Sequence, residues 1–397
     1  MKKLLIFAAC AATLLVAGCA KNEIVQTTGT QEAITFGVYA GKSATRAVSA
    51  TDFGDITTNS LGKSSNAGFG VFGFFSDYSA IHSGFDTAPS SNFTPNFMYN
   101  QQVQGNGDGS AAATAWTYSP IKYWPNEYST TEALSDQVDR LTFFAYAPYV
   151  ATASVGDEGI TAFSANNATG DPTVSFKVPA ASNQQIDLLW ADASVSNTIN
   201  LIKQELDGNV HFYFKHALSN LSIYPVAVVN NSSIPASSGT DVDDYAEITV
   251  NSITIRGTFN QTGTLNLRTG VWSSSPAGSA QTVSYSPASP LDVTDINDKA
   301  EADAGNPCAE FMFIPSSDGS KTYTVTIDYD VTYTDGKLAS SLVVKNVIHK
   351  DINLEFEQGK KMKLYIGLGM TSVVFSAEVA DWTSAADQTI WLPVNTD

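Results

Sequence analysis

Apolar and polar residues alternate with a period of two over much of the chain. The clearest run is Thr322 to Thr334, where Tyr323, Val325, Ile327, Tyr329, Val331 and Tyr333 are separated by Thr324, Thr326, Asp328, Asp330 and Thr332. Side chains of an extended chain point to opposite faces in turn, so the first set faces a core and the second faces water. The same pattern recurs at Gly70 to Phe75, Leu141 to Ala147, Val174 to Val178, Val210 to Phe214, Leu218 to Tyr224, Ile248 to Ile255 and Val373 to Val379. Clusters of Gly, Pro, Asn, Asp, Ser and Thr divide these runs. Half-buried strands of this kind favour antiparallel sheets over a parallel α/β sheet. Helical spacing is confined to Thr131 to Asp139, with Leu134 and Val138 four apart. Polar stretches at Gln104 to Ala115, Ser194 to Asn200, Asn230 to Asp244 and Ser273 to Asp303 read as surface loops.

Both ends of the chain carry a matched apolar ribbon. In Ala33 to Ala40, Ile34, Phe36 and Val38 alternate with Thr35, Gly37 and Tyr39. In Thr389 to Asn395, Ile390, Leu392 and Val394 share one face, and Trp391, Pro393 and Asn395 the other. Pro393 has no amide hydrogen, so the second ribbon suits an edge or an inserted strand. It reads either as a strand supplied to a neighbouring copy or as the last strand of its own sheet.

At 397 residues the chain exceeds the size at which one core stops growing, and 43% hydrophobic against 15% charged residues supplies material for two. Two β-sandwich domains are expected, 47–205 and 206–397, with the division near residues 200 to 210. The formal net charge of −18 becomes −20 once Lys2 and Lys3 are removed with the leader. A surface so acidic repels phosphates, so nucleic acid is not an expected partner.

Met1-Lys2-Lys3 followed by the apolar run Leu4 to Ala17 is an export signal, too short for a spanning helix, which needs about 20 residues. It ends in Leu15-Val16-Ala17-Gly18-Cys19, which resembles a bacterial lipobox. Residues 1–18 are therefore read as a lipoprotein signal peptide and Cys19 as the lipidated first residue. Its acyl chains would hold the protein on the outer membrane, at about 0.8 kcal/mol per buried methylene. Cys308 has no partner for an intramolecular disulfide and precedes the alternating Phe311 and Phe313, so it is expected to be a buried, inert thiol.

Motifs that might carry chemistry lack their context. Gly68-Phe69-Gly70-Val71-Phe72-Gly73 spells a dinucleotide fingerprint, yet Phe74-Phe75 continue a strand where a helix is required. His82, His211, His216 and His349 show no metal-ligand spacing, and Asn106-Gly107-Asp108-Gly109 lacks the later ligands of a calcium loop. No serine lies in GxSxG, and acid pairs such as Asp243-Asp244 and Asp328/Asp330 fall in loops or on solvent faces. No catalytic residue, cofactor or metal is assigned, and an enzyme is not expected.

The lipobox at Cys19, the strand Phe69 to Phe75, Lys122-Tyr123-Trp124-Pro125, Phe143-Phe144-Ala145-Tyr146-Ala147-Pro148, Asp187-Leu188-Leu189, Phe214-Lys215-His216-Ala217-Leu218-Ser219 and Val379-Ala380-Asp381-Trp382 occur in this order. Together they resemble the fimbrillin family, the type V pilin subunits of anaerobic Gram-negative bacteria. The resemblance implies an all-β protein of two tandem transthyretin-like antiparallel β-sandwich domains with long loops. It also implies removal of a 19–46 propeptide by an arginine-specific surface protease, and Thr45-Arg46-Ala47 matches such a site, with cleavage between Arg46 and Ala47.

Cleavage there would free Ile34, Phe36 and Val38 from the first sandwich. Ile390, Leu392 and Val394, in a donor segment 388–397 of another subunit, could fill the vacancy. Such a head-to-tail contact does not close, so it generates a filament. The expected partners are other fimbrial subunits, the outer membrane before processing, and a host or bacterial surface ligand. The expected location is the cell outer membrane and the surface fimbria. A glycan-binding surface lipoprotein is the alternative, with Trp116, Tyr123, Trp124 and Tyr128 as its aromatic platform.

Overall fold

A computed structural model of the chain describes residues 33–39, 67–76, 93–107, 115–125, 140–154, 158–201, 209–227, 246–274, 279–296, 298–305, 307–316, 319–333 and 341–369, with 373–381 and 384–390 as backbone. Cys19, Arg46, Ala47, Leu392, Val394, Tyr128, His82, the stretch Thr131 to Asp139 and the expected division at 205/206 lie outside the described residues.

The architecture is all-β, in four sheets whose strands are numbered in chain order. The first runs β1 (Thr35–Tyr39), β9 (Asn209–His216), β8 (Leu189–Ala191), β5 (Arg140–Ala147), β2 (Phe69–Ser76), β3 (Met98–Gly105) and β4 (Trp116–Thr117). The second runs β13 (Trp272–Ser274), β12 (Thr262–Asn266), β7 (Thr173–Lys177) and β6 (Gly159–Phe163). The third runs β16 (Ala309–Phe313), β10 (Ser219–Ala227), β19 (Lys360–Leu368), β20 (Val373–Asp381) and β21 (Ser384–Ile390). In the fourth, β14 (Gln281–Tyr285), β11 (Ala246–Gly257), β17 (Lys321–Tyr333) and β18 (Leu342–Leu354) are joined by β15 (Leu291–Asp292) on β11. Among the described residues, two short α-helices, α1 (Ala193–Ser196) and α2 (Lys299–Ala304), begin at aspartate caps: the side chains of Asp192 and Asp298 accept from the N–H groups of Ser194 and Glu301.

The eight strands first read from the alternation and the ribbon at Ile34, Phe36 and Val38 are present, while most of the ribbon 389–395 lies outside the described residues; the stretch 273–303 departs most from its reading as a loop, since it contains β14, β15 and α2. Val283 and Val293 explain this: two single apolar side chains, spaced too far apart to form a pattern, are buried in the core beneath the fourth sheet.

The strands β2 and β5 also depart from the half-buried expectation, because both of their faces are covered. Phe69, Val71, Phe143 and Ala145 face a core enclosed by the first sheet itself, together with Phe212 and Phe214. Phe72, Phe74, Phe144 and Tyr146 face the opposite way, onto Val174 and Phe176 of β7 and Leu265 of β12. A strand buried twice reads as a continuous apolar run, which is what Phe69 to Phe75 and Leu141 to Ala147 are. Gly70 serves this arrangement by being small: a Cβ there would lie 2.3 Å from the Tyr146 ring, which crosses the strand at that point. Of the glycines in the dinucleotide-like motif, Gly70 is thus a packing device within β2, and Gly68 takes a left-handed backbone conformation just ahead of it.

The third and fourth sheets face each other over a further core, with Leu221, Ile223, Phe311, Phe313, Leu364 and Ile366 on one side and Ile248, Ile253, Tyr323, Val325, Ile327 and Tyr329 on the other. Cys308 is buried at the margin of this core, where burial pushes its thiol far above its usual pKa. The chain passes from the first sheet to the third through Ala217 and Leu218, both fully buried. Strand β12 of the second half pairs with β7 of the first, residue for residue from Thr262 with Lys177 to Asn266 with Thr173.

Polar contacts tie the halves together as well. Gln185 accepts the Met312 N–H at 2.6 Å and donates to the Pro179 carbonyl at 2.8 Å, both within the interior. Within the first half, His216 and Asp187 meet at 2.5 Å, beside the Ala217–Leu218 crossing. Removing one partner from a buried hydrogen bond leaves the other unsatisfied, at a cost of about 1–3 kcal/mol. Replacement of Gln185 by leucine is therefore expected to destabilise the protein by about 2 kcal/mol, read as a lower denaturation midpoint with an unchanged slope.

Candidate functional site

The site with most to explain is the place of β1 in the first sheet. Each other adjacent pair in that sheet is antiparallel, whereas β1 lies parallel to β9, from Thr35 beside Asn209 to Tyr39 beside Tyr213. It is the terminal strand of its sheet, and its lead-in residue Ala33 bridges to Tyr123 beyond β4. The two ends of the sheet thereby meet around the core.

The three residues singled out by alternation enter that core together. Ile34, Phe36 and Val38 are 1%, 4% and 8% exposed. Phe36 is the anchor: its ring lies 5.2 Å from Tyr118 and 5.5 Å from Phe143, both edge-on, and 5.7 Å from Phe212, nearly parallel. Aromatic groups prefer these offset and edge-on arrangements, and each pair adds to the gain from burial. Burying three such side chains contributes roughly 5–9 kcal/mol before the cost of ordering the strand.

On the outer face, Gly37 lies under the imidazole of His211. A Cβ at residue 37 would come within 2.6 Å of His211 Cδ2, so any larger residue here must move the ring aside. Burial holds the His211 pKa below its ordinary value. Thr35 Oγ1 bonds to the Asn209 side chain at the start of the ladder.

Tyr118 secures the lead-in. Its hydroxyl donates to the Ile34 carbonyl at 2.8 Å and accepts the Lys122 N–H at 3.2 Å, while the Ile34 N–H donates to the Lys122 carbonyl at 2.9 Å. Desolvation, as the largest effect, raises the Tyr118 pKa and keeps the phenol protonated as a donor. The sequence does not single out Tyr118, Lys122, His211 or Asn209 for this role. Tyr118 meets its acceptor across 84 residues, and no local pattern reports such a contact.

The other expected site residues fall elsewhere. Ile390 is the last residue of β21, an edge strand paired antiparallel to β20 with Ile390 beside Ala377. Of the aromatic platform, Trp124 is 3% exposed inside the first core and Trp116 packs against it 5.2 Å from the Phe69 ring, leaving Tyr123 at the surface. His349 is exposed and bonded to Thr326, and Asp328 accepts from Asn251.

Overpacking a tight contact costs about 1–3 kcal/mol. Gly37→Val is accordingly expected to push His211 aside and to speed amide exchange in Thr35–Tyr39 by at least about tenfold, while exchange in β2 and β5 stays unchanged.

Comparison with known proteins gives a consistent picture. A family described as fimbrillin-like matches residues 45–382. A fimbrium subunit, Fim1C, of Phocaeicola vulgatus is 32% identical over 215 residues, 53% of this chain and 48% of its own length, so the chain spans about half of that relative. A fimbrial protein of Bacteroides vulgatus shares the fold with a TM-score of 0.61 at 23% identity, over 88% of this chain and 99% of that one. A cell adhesion protein of Bacteroides uniformis aligns over 90% of this chain and 100% of its own, with a TM-score of 0.48 at 17% identity. Since the family match extends over most of the sequence, from Thr45 to Trp382, the chain belongs to the fimbrillin-like family.

Proposed function

We propose that this protein is a structural subunit of an adhesive surface fimbria, exported as a lipoprotein on Cys19 and assembled by strand replacement after cleavage between Arg46 and Ala47. The observation that carries the proposal is the position of β1. It fills the core of the first sheet, yet it precedes Arg46, while every other described strand comes after that residue. A cut after Arg46 would leave β1 held by contacts alone. The family match begins at residue 45, so β1 also stands outside the part of the chain that defines the family.

Energetics supports replacement rather than simple loss. Departure of β1 would expose Phe143 and Phe212 and a row of unpaired β9 backbone groups, at several kcal/mol. A strand offering three apolar residues at the same spacing would restore most of this, so exchange would be close to neutral, and diffusion of the freed segment away from the cell would draw it forward. The ribbon Ile390, Leu392 and Val394, within a segment 388–397, has that spacing. Its partner would be the next subunit, head to tail, with the outer membrane as the site of assembly and a host or bacterial surface as the target.

Two measurements test this. Amino-terminal mass spectrometry on material sheared from cells should find chains beginning at Ala47; chains that all retain a lipidated Cys19 would overturn the processing step. Deleting Gln388–Asp397 should leave monomers folded and abolish polymer. Loss of folding in that variant would assign the carboxyl-terminal ribbon to the third sheet of its own chain.

A further inference from the structure

We infer that Tyr118 and Lys122 form a backbone-binding subsite that holds whichever strand occupies the place beside β9. The inference rests on the strand-replacement reading above and adds its ligand chemistry: the bare peptide backbone of an extended strand from a second subunit. Four observations carry it. The contacts to the lead-in are made to the Ile34 carbonyl and N–H, not to its side chain. They lie just ahead of the β1–β9 ladder, so they add a second grip at a separate point on the strand. The donor is a phenol that is only 8% exposed, where water competes poorly for its hydrogen bond. The Tyr118 oxygen also lies 3.2 Å from the Lys122 carbonyl, which gives its proton an alternative acceptor.

That last distance explains how the subsite can stand empty. When Ile34 leaves, the Tyr118 hydroxyl can turn to the Lys122 carbonyl, which has just lost the Ile34 N–H. Both groups then satisfy each other inside the protein, and the donor and acceptor remain aimed at the vacated place. An arriving strand opens this internal bond and takes both ends of it. Because the contacts are to backbone, the subsite reads no side chain and rejects only proline at the Ile34 position, which has no N–H for Lys122. Selection among strands is left to the buried places of the Ile34, Phe36 and Val38 side chains. Tyr118 is thus a positioning residue that governs how long a strand stays.

Tyr118→Phe keeps the ring against Phe36 and removes only the hydroxyl. The test uses the full chain, cut after Arg46 by an arginine-specific protease, with a fluorescent synthetic strand of residues 31–41 as the probe. The expected result is that both proteins take up the strand, that Tyr118→Phe releases it about tenfold faster, and that amide exchange in β2 and β5 is the same in both. A second probe carries an ester between residues 34 and 35, whose carbonyl is a poorer acceptor. It should leave the unaltered protein faster than the amide strand, and this difference should shrink in Tyr118→Phe. If the variant does not fold, a third strand with its ester between residues 36 and 37, which also lacks one N–H but spares the Ile34 carbonyl, is the control in the unaltered protein and should leave more slowly than the first ester. Equal release of the amide strand from both proteins, or of the amide strand and the first ester from the unaltered protein, overturns the subsite and leaves strand replacement intact. Failure of the cut, unaltered protein to take up any strand overturns strand replacement, and the subsite with it.

Discussion

A five-residue parallel ladder between β1 and β9, with Phe36 seated among Tyr118, Phe143 and Phe212, closes the first core. The constraint behind it is that a rolled sheet has two ends, and both must be covered. Ala33 meets Tyr123 at one end, and β1 shields β9 at the other. Everything inside the roll, from Phe69 on β2 to Phe214 on β9, depends on that closure. A strand with such responsibility would ordinarily be wired into the middle of a chain, where it cannot be lost. Here it is the first described strand, ahead of Arg46, and the proposed strand replacement starts from this placement.

The layers reflect how the sheets are covered. The back of the first sheet is roofed by the second, which draws β6 and β7 from one half of the chain and β12 and β13 from the other. The third and fourth sheets enclose their own core by the usual face-to-face packing of twisted sheets. Where the chain crosses from the first sheet to the third it is packed away from water. Ala217 and Leu218 are buried, Trp272 donates its indole N–H to the Ala217 carbonyl at 2.7 Å, and Gly359 donates to the Leu218 carbonyl at 3.0 Å.

Period-two alternation made the all-β class and the eight strands named from it legible, because burial on one face leaves a direct trace in residue order. The ribbon Ile34, Phe36 and Val38 was legible as a strand for the same reason, and its residues are indeed buried. Strand order, parallel pairing and double burial were not legible. They depend on which strands come together from 35 and 209, or from 173 and 266, and alternation is silent about partners. Strand β18 escaped notice because Leu342, Val343, Val344 and Val347 are all exposed at its start, where an edge strand need not alternate. Tyr118 escaped because it acts through one hydroxyl on a distant carbonyl, in a segment with no regular pattern.

The ladder between β7 and β12 has a mechanical side. A filament on a cell surface bears tension in flowing liquid, and two domains joined by a simple tether would swing apart under it. In this chain a strand from each half lies in one sheet, and the crossing from the first sheet to the third is itself packed away from water. Drawing the halves apart must therefore break a row of backbone hydrogen bonds together rather than straighten a hinge, so in the proposed filament they would resist stretching as a unit.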